Sequence, residues 1–267
     1  MFDFHMHSDF SADCSAAMED MICRAIDKGL TEICFTEHID YEYPDKDFIF
    51  EFDLQAYDKR IKNLQQKYAD QITVRKGIEL GLQPYLLDRY DRLMGTERFD
   101  FSILSIHTAD KKGLHDGAFF ADRSIEASYE KYYEELLYCV KNFKQFSILG
   151  HLDLVKRYTI DEIPEADFHG IIQEIFKEII PSGKGIEINT SGTRYGLSTA
   201  MPSDDILKLY KANGGEIITI GSDAHQPDDI GYAFKPSLEL LESLGFKYVT
   251  TFNDMKPTFH KIAQLLR

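Results

Sequence analysis

Six of the nine histidines stand where a short apolar run stops, most with a carboxylate close by. In chain order the run ends read Phe4-His5-Met6-His7, Thr36-Glu37-His38, Gly77-Ile78-Glu79, Ser105-Ile106-His107, Gly150-His151-Leu152-Asp153 and Ser222-Asp223-Ala224-His225. Imidazole and carboxylate are the side chains that hold divalent metals. His5 and His7 are two apart, and alternate residues of a strand point the same way, so both rings reach one ion. Asp223 and His225 repeat that spacing behind Gly221 and Ser222, which allow close backbone approach. Glu79 ends an apolar strand, where a carboxylate is costly to bury without a cation. Lys76 is out of phase with it and Arg75 lies at the far end of the run, so a metal is the better partner, and two carboxylate oxygens can serve two ions. With His38, His107, His151 and Asp13 the candidates number nine. A single catalytic zinc takes three protein ligands and a water. Two or three divalent ions follow, an arrangement suited to phosphoester hydrolysis, in which they acidify a bridging water and neutralise phosphate oxygens.

The runs that carry these residues read as strands over 2–6, 32–36, 73–79, 100–106, 146–151, 184–189, 216–221 and 247–251, each short and rich in β-branched or aromatic residues. Helical patterns over 16–28, 54–69, 83–94, 124–143, 165–181, 203–213, 235–244 and 255–266 separate them. Ser15, Asp53, Ser124, Ser203 and Asp254 are placed to cap helices, and Gly29, Gly214 and Gly245 to end them. Alternating β and α implies parallel strands with right-handed crossovers. Ligands gathered at successive strand ends are the pattern of a β/α barrel with its site at the C-terminal face. Seven or eight strands fit. With no linker, low-complexity tract or repeat, residues 1–267 are expected to form one domain. Two long connections, 39–53 and 108–123, follow ligand-bearing strands and should lie over the site.

Composition narrows the setting. The formal net charge of −15 disfavours long nucleic acid as a partner. No apolar run approaches a membrane span, and the start Met1-Phe2-Asp3-Phe4-His5 lacks a signal-peptide pattern. Cys14, Cys23, Cys34 and Cys139 form no paired motif, so free thiols in a reducing cytoplasm are expected. Nothing in the chain sets an oligomeric state.

The six motifs, taken in order, resemble those of the polymerase and histidinol phosphatase (PHP) family. Chain length, the segment Ile39-Asp40-Tyr41-Glu42-Tyr43-Pro44 and the run from His151-Leu152-Asp153 through Lys156-Arg157-Tyr158 look most like its histidinol-phosphate phosphatase branch. The resemblance implies a distorted TIM-like (β/α)7 barrel holding divalent ions of Zn, Mn or Fe at the strand ends. One ion would take His5, His7, Glu79 and Asp223. A second would share Glu79 and add His107 and His151, and a third would take Asp13, His38 and His225. Many family members have histidine where this chain has Asp13, a change that shifts the third site towards harder metals; Asp9 competes for that role. The implied activity is hydrolysis of L-histidinol phosphate in histidine biosynthesis by a metal-bridging hydroxide, with Glu79, Asp223 and His225 as catalytic candidates. Arg157 and Arg194, on loops that should open onto the site, are candidates for the phosphate. Asp40, Tyr41, Glu42 and Tyr43 are candidates for the ammonium and imidazole of the substrate. A family phosphoesterase acting on nucleotides or oligonucleotide ends, and a non-catalytic metal-binding module, are the alternatives.

Overall fold

The computed structural model describes residues 1–159 and 165–267. Seven strands lie parallel in chain order: β1 (Phe2–Met6), β2 (Glu32–Ile39), β3 (Thr73–Gly81), β4 (Phe101–Ser105), β5 (Ile148–Leu149), β6 (Gly185–Asn189) and β7 (Ile218–Gly221). Each strand from β4 to β7 is buried along its whole length, as parallel strands covered on both faces must be. The sheet curls until β7 meets β1 just past the strand ends. There the Asp223 amide donates to the His5 carbonyl at 2.7 Å, and the His7 amide donates to the Ala224 carbonyl at 2.9 Å. The result is a nearly closed (β/α)7 barrel, with the His5-x-His7 and Asp223-x-His225 pairs side by side at its seam.

Helices cover the outside: α1 (Met18–Asp27), α2 (Leu54–Lys67), α3 (Leu87–Thr96), α4 (Ile125–Asn142), α5 (His169–Ile179), α6 (Asp204–Ala212) and α7 (Phe234–Ser243). Helix α1 buries Met18, Met21, Ile22 and Ala25, a helical stripe facing the sheet. Asp53, Ser124 and Ser203 each accept amide hydrogens from the first turn of their helices. Ser15 does not: α1 starts later, at an Ala17 cap with no side-chain bond. Gly214 and Gly245 end α6 and α7 at φ of 86° and 84°, where a Cβ would be strained. Among the described residues no helix is long and apolar enough to cross a membrane.

The C-terminal segment departs from the sequence pattern. Instead of an eighth barrel strand and a helix over 255–266, β8 (Tyr248–Asn253) pairs antiparallel with β9 (Lys256–Lys261). Asp254 is no helix cap; it and Met255 form the hairpin turn, at φ of 49° and 60°. The turn is held at the amino end of the barrel, where the Met255 amide donates to the Asp100 carbonyl at 2.9 Å. Phe252 joins Phe4, Cys34, Phe101, Ile103 and Ile148 in a buried cluster separate from the main core. The hairpin thus closes the barrel end opposite the histidines.

Candidate metal centre

Strand alternation brings the His5 and His7 rings to a centroid separation of 5.2 Å. His7 in turn lies between His38 and His225, stacked at 4.3 and 4.2 Å. Glu79, fully buried at the end of β3, is the hub. Its Oε2 lies 3.1 Å from His5 Nε2, 3.5 Å from His7 Nε2 and 3.3 Å from His38 Nδ1. Its Oε1 lies 3.0 Å from His151 Nε2 and 3.3 Å from His107 Nε2, and accepts from the Ser105 hydroxyl at 2.6 Å. Five imidazoles from four strand ends thus converge on one carboxylate. Across the seam, Asp223 Oδ1 sits 3.4 Å from His7 Nε2 and 3.7 Å from His5 Nε2. Asp13 Oδ2 approaches His225 Nε2 at 3.2 Å and His38 Nε2 at 3.8 Å. Asp9 accepts from the Met18 amide at 3.3 Å, at the start of α1, so Asp13 is the aspartate that faces the histidines.

The donor set fits divalent ions. Four triads have their ligand atoms within 4.8 Å of one another: His5-His7-Glu79, His5-His151-Asp223, His38-Glu79-His107 and His7-His38-His225. His7 Nε2, His38 Nδ1 and His225 Nε2 are buried without a hydrogen-bond partner, although carboxylate oxygens are near each. Buried polar atoms left unpaired in this way are costly, and a cation among them resolves the cost. With protons as the only cations, the groups perturb one another strongly. Burial, with the charges of His225 and His38, pulls His7 down to about 3. At His38 burial is outweighed by Glu79, Asp13 and Asp40, which lift it to about 9. Burial also opposes the charged carboxylates. Even so, His5, His38 and His107 hold Glu79 well below its ordinary range, and His5, His7 and His225 do the same for Asp223.

Behind the ligand atoms lies a layer of carboxylates, of which motif reading singled out Asp40 alone, and that as a substrate contact. Glu187 Oε2 meets His5 Nδ1 at 2.9 Å. Glu37 accepts from the Ser11 hydroxyl at 2.6 Å, and Ser11 Oγ is 3.1 Å from His7 Nδ1. Asp40 Oδ2 meets His107 Nδ1 at 2.6 Å. The available signal was an acid in the middle of an apolar strand, as in Gly185-Ile186-Glu187-Ile188-Asn189.

A cavity of about 330 Å³ opens above the histidines. Tyr43, Phe48, Phe50, Leu114, Tyr158 and Tyr195 wall it, together with His115 and Arg157. Of the four candidates in the loop after β2, Asp40 and Tyr43 line this cavity and two do not. The Tyr41 ring packs on Tyr90 at 4.7 Å, with the Arg89 guanidinium 3.6 Å above it. Glu42 takes φ 55° and accepts from the Tyr85 hydroxyl at 3.2 Å, so the turn carries it outward. The arginines also divide. Arg157 lines the cavity with its guanidinium 3.3 Å from the centre of the Tyr195 ring. Arg194 instead donates to the carbonyls of Ser222 and Asp223 at 3.0 and 2.8 Å and pairs with Asp229 at 3.4 Å. It braces the loop that carries Asp223 and His225 and is not among the residues that line the cavity.

Comparison with known proteins gives concordant results. The family model described as PHP domain matches residues 3–191. A histidinol-phosphatase of Lactococcus lactis is 33% identical over 258 residues, covering 95% of either chain. One of Bacillus subtilis is 28% identical, covering 89% of this chain and 98% of the relative. The crystal structure of the histidinol phosphate phosphatase of Lactococcus lactis, complexed with zinc, L-histidinol and phosphate, matches with a TM-score of 0.87 at 31% identity, covering 96% of this chain and 98% of that one.

Proposed function

The chain belongs to the PHP domain family, and on that premise we propose that it is a metal-dependent phosphomonoester hydrolase. Its reaction converts L-histidinol phosphate to L-histidinol and inorganic phosphate, a cytoplasmic step of histidine biosynthesis carried out by residues 1–267 as one catalytic domain. The observation that carries the reading is the convergence of five imidazoles on Glu79 at the floor of a cavity large enough for a small ester. The relative solved with zinc, L-histidinol and phosphate supports the choice of ester.

Residues His5, His7, Glu79 and Asp223 would hold one divalent ion, Glu79, His107 and His151 a second, and Asp13, His38 and His225 a third. Zinc, manganese and iron all suit these donors, with aspartate in the third set favouring the harder metals. Bound there, such ions would acidify water and neutralise phosphate charge. The chain's own groups do the rest. Arg157, flattened against Tyr195, presents planar donors to phosphate oxygens. His225, its Nδ1 3.6 Å from Asp223 Oδ1 at the seam, is the group able to pass a proton to the leaving alkoxide, with the Asp223 carboxylate beside it. Tyr43, Phe48, Phe50 and Tyr158 exclude water and offer faces to an imidazolium or ammonium. Arg194 holds the Asp223 loop in register.

The test is phosphate release from L-histidinol phosphate by metal-analysed protein, with AMP and p-nitrophenyl phosphate run alongside. Turnover abolished by chelation and selective for histidinol phosphate by orders of magnitude is expected. Metal-loaded protein that prefers AMP would move the substrate to nucleotides, and metal content without turnover on any ester would leave a binding module.

A further inference from the structure

Glu187 is a carboxylate with 1% of its surface exposed, and its only ion pair among the described residues is with His5. Both oxygens lie within reach of His5 Nδ1, Oε2 at 2.9 Å and Oε1 at 3.1 Å, and Oε1 carries two further bonds. Oε1 accepts from the His151 amide at 2.8 Å and from the Asn189 side-chain amide at 3.0 Å. The backbone leaves room for this arrangement: a Cβ at Gly221 would stand 2.8 Å from Glu187 Oε2 and 2.4 Å from the Cβ of His5. On the far side of the ring, His5 Nε2 points at Glu79 and Asp223.

We infer that Glu187 is the positioning residue that fixes the tautomer of His5, keeping the proton on Nδ1 so that the Nε2 lone pair faces the metal centre. The inference rests on the proposed reading that His5 holds a divalent ion. A carboxylate can only accept, so Nδ1 must donate to it, and a neutral ring then has its lone pair at Nε2. Partners of this kind orient metal-ligating histidines and raise their basicity. Asn189 extends the same unit, because its amide also lies 3.4 Å from Asp223 Oδ2. Groups from β1, the β5 end and β6 therefore share one buried anion, and Asn189 links it to Asp223 at the β7 end.

The two oxygens make a single-atom test possible. In Glu187→Gln the side-chain oxygen is pinned at the Oε1 position by the His151 and Asn189 donors, which places the new amide group against His5 Nδ1. That amide stands nearer Nδ1 than the retained oxygen does, at the 2.9 Å position against 3.1 Å, so Nδ1 is driven to accept from it, the proton moves to Nε2, and the lone pair is lost to the metal. Glu187→Gln keeps the shape of the side chain yet should lower metal affinity about 10- to 100-fold, at least as much as Glu187→Ala. A merely structural Glu187 would give the opposite order, with the glutamine variant near wild type. The affinities are read by chelator competition on the zinc-loaded full chain, with melting of the chelated variants as the folding control. Ring-nitrogen NMR of zinc-loaded wild type, assigned with His5→Ala, gives a reading that needs no Glu187 variant to fold. A proton on Nδ1 of His5 is expected, and a proton on Nε2 would overturn the inference. If His5→Ala keeps its full metal content, the metal reading itself fails. If His5→Ala loses metal while Glu187→Gln keeps wild-type affinity, this inference alone fails.

Discussion

Glu79 is where the candidate site is most concentrated. Five ring nitrogens and the Ser105 hydroxyl surround its two oxygens, so its loss would strand six partners at once. Glu79→Ala and His107→Ala should each lower turnover by at least about 100-fold, the upper range for losing a mere partner of a ligand. Circular dichroism should remain native, because neither residue packs the barrel core. Near-normal turnover in either variant would sink the ligand assignment. The two arginines give a second contrast. Arg157→Ala should raise both KM and the inhibition constant for inorganic phosphate about 10-fold or more, since hydrogen bonds to charged groups are worth about 1.5–3 kcal/mol. Lysine should restore little of this, because the stack on Tyr195 needs a planar cation. Arg194→Ala should leave phosphate inhibition in place and act on turnover through the Asp223 loop; equal loss of phosphate affinity in both variants would return Arg194 to the phosphate. Histidines at the ends of apolar runs were legible because ligand type and strand period are local signals. The direction of a loop side chain is not local. Glu42 turns outward because its backbone takes a positive φ, and Arg194 is committed to carbonyls that only the folded seam brings near it.

At the scale of elements, seven strands and their helices follow from alternation, and their order in the sheet is simply their order in the chain. The eighth apolar run, 247–251, fits the same pattern and yet leaves the barrel. The reason is tertiary. β1 and β7 already meet at the seam, so no gap is left for another parallel strand. The remaining chain gains more by covering the open amino end of the barrel. Pro257 agrees with this placement, as the outer strand of a hairpin tolerates a residue with no amide hydrogen. Phe252 is the wedge, packed at 5.1 Å on Phe101, which itself lies 5.4 Å from Phe4. Phe252→Ala should therefore destabilise the protein by about 3–5 kcal/mol, the usual loss for a buried phenylalanine, while KM for histidinol phosphate stays unchanged. Denaturant unfolding and steady-state kinetics check the two halves. A loss of stability below about 1 kcal/mol would mean that the hairpin does not plug the barrel.

For the whole molecule, the site ties stability to pH and metal together. In the metal-free protein the carboxylates Glu79 and Asp223 are depressed by their imidazole partners, so their contribution is full above the ordinary carboxylate values of 4.5 and 3.8 and is lost as pH falls. His38 has the opposite sign. Raised from 6.5 to about 9, it contributes fully below 6.5 and loses that contribution as pH rises through 9. His5, His107 and His225 are raised in the same sense, and His7, lowered to about 3, opposes them. Metal-free protein should therefore be most stable between about pH 4.5 and 6.5 and weaken towards pH 9. Divalent ions need the same imidazoles neutral. Over that rise in pH the ions replace the protons, and metal at 100 times its dissociation constant adds about 2.7 kcal/mol. The difference in melting temperature between metal-loaded and chelated protein should widen from about pH 6.5 to 9. Thermal melts with and without chelator across that range measure it directly. A gap that stays constant with pH would mean that protons and metal do not compete for these rings, and the imidazoles gathered at Glu79 would not be the ligands.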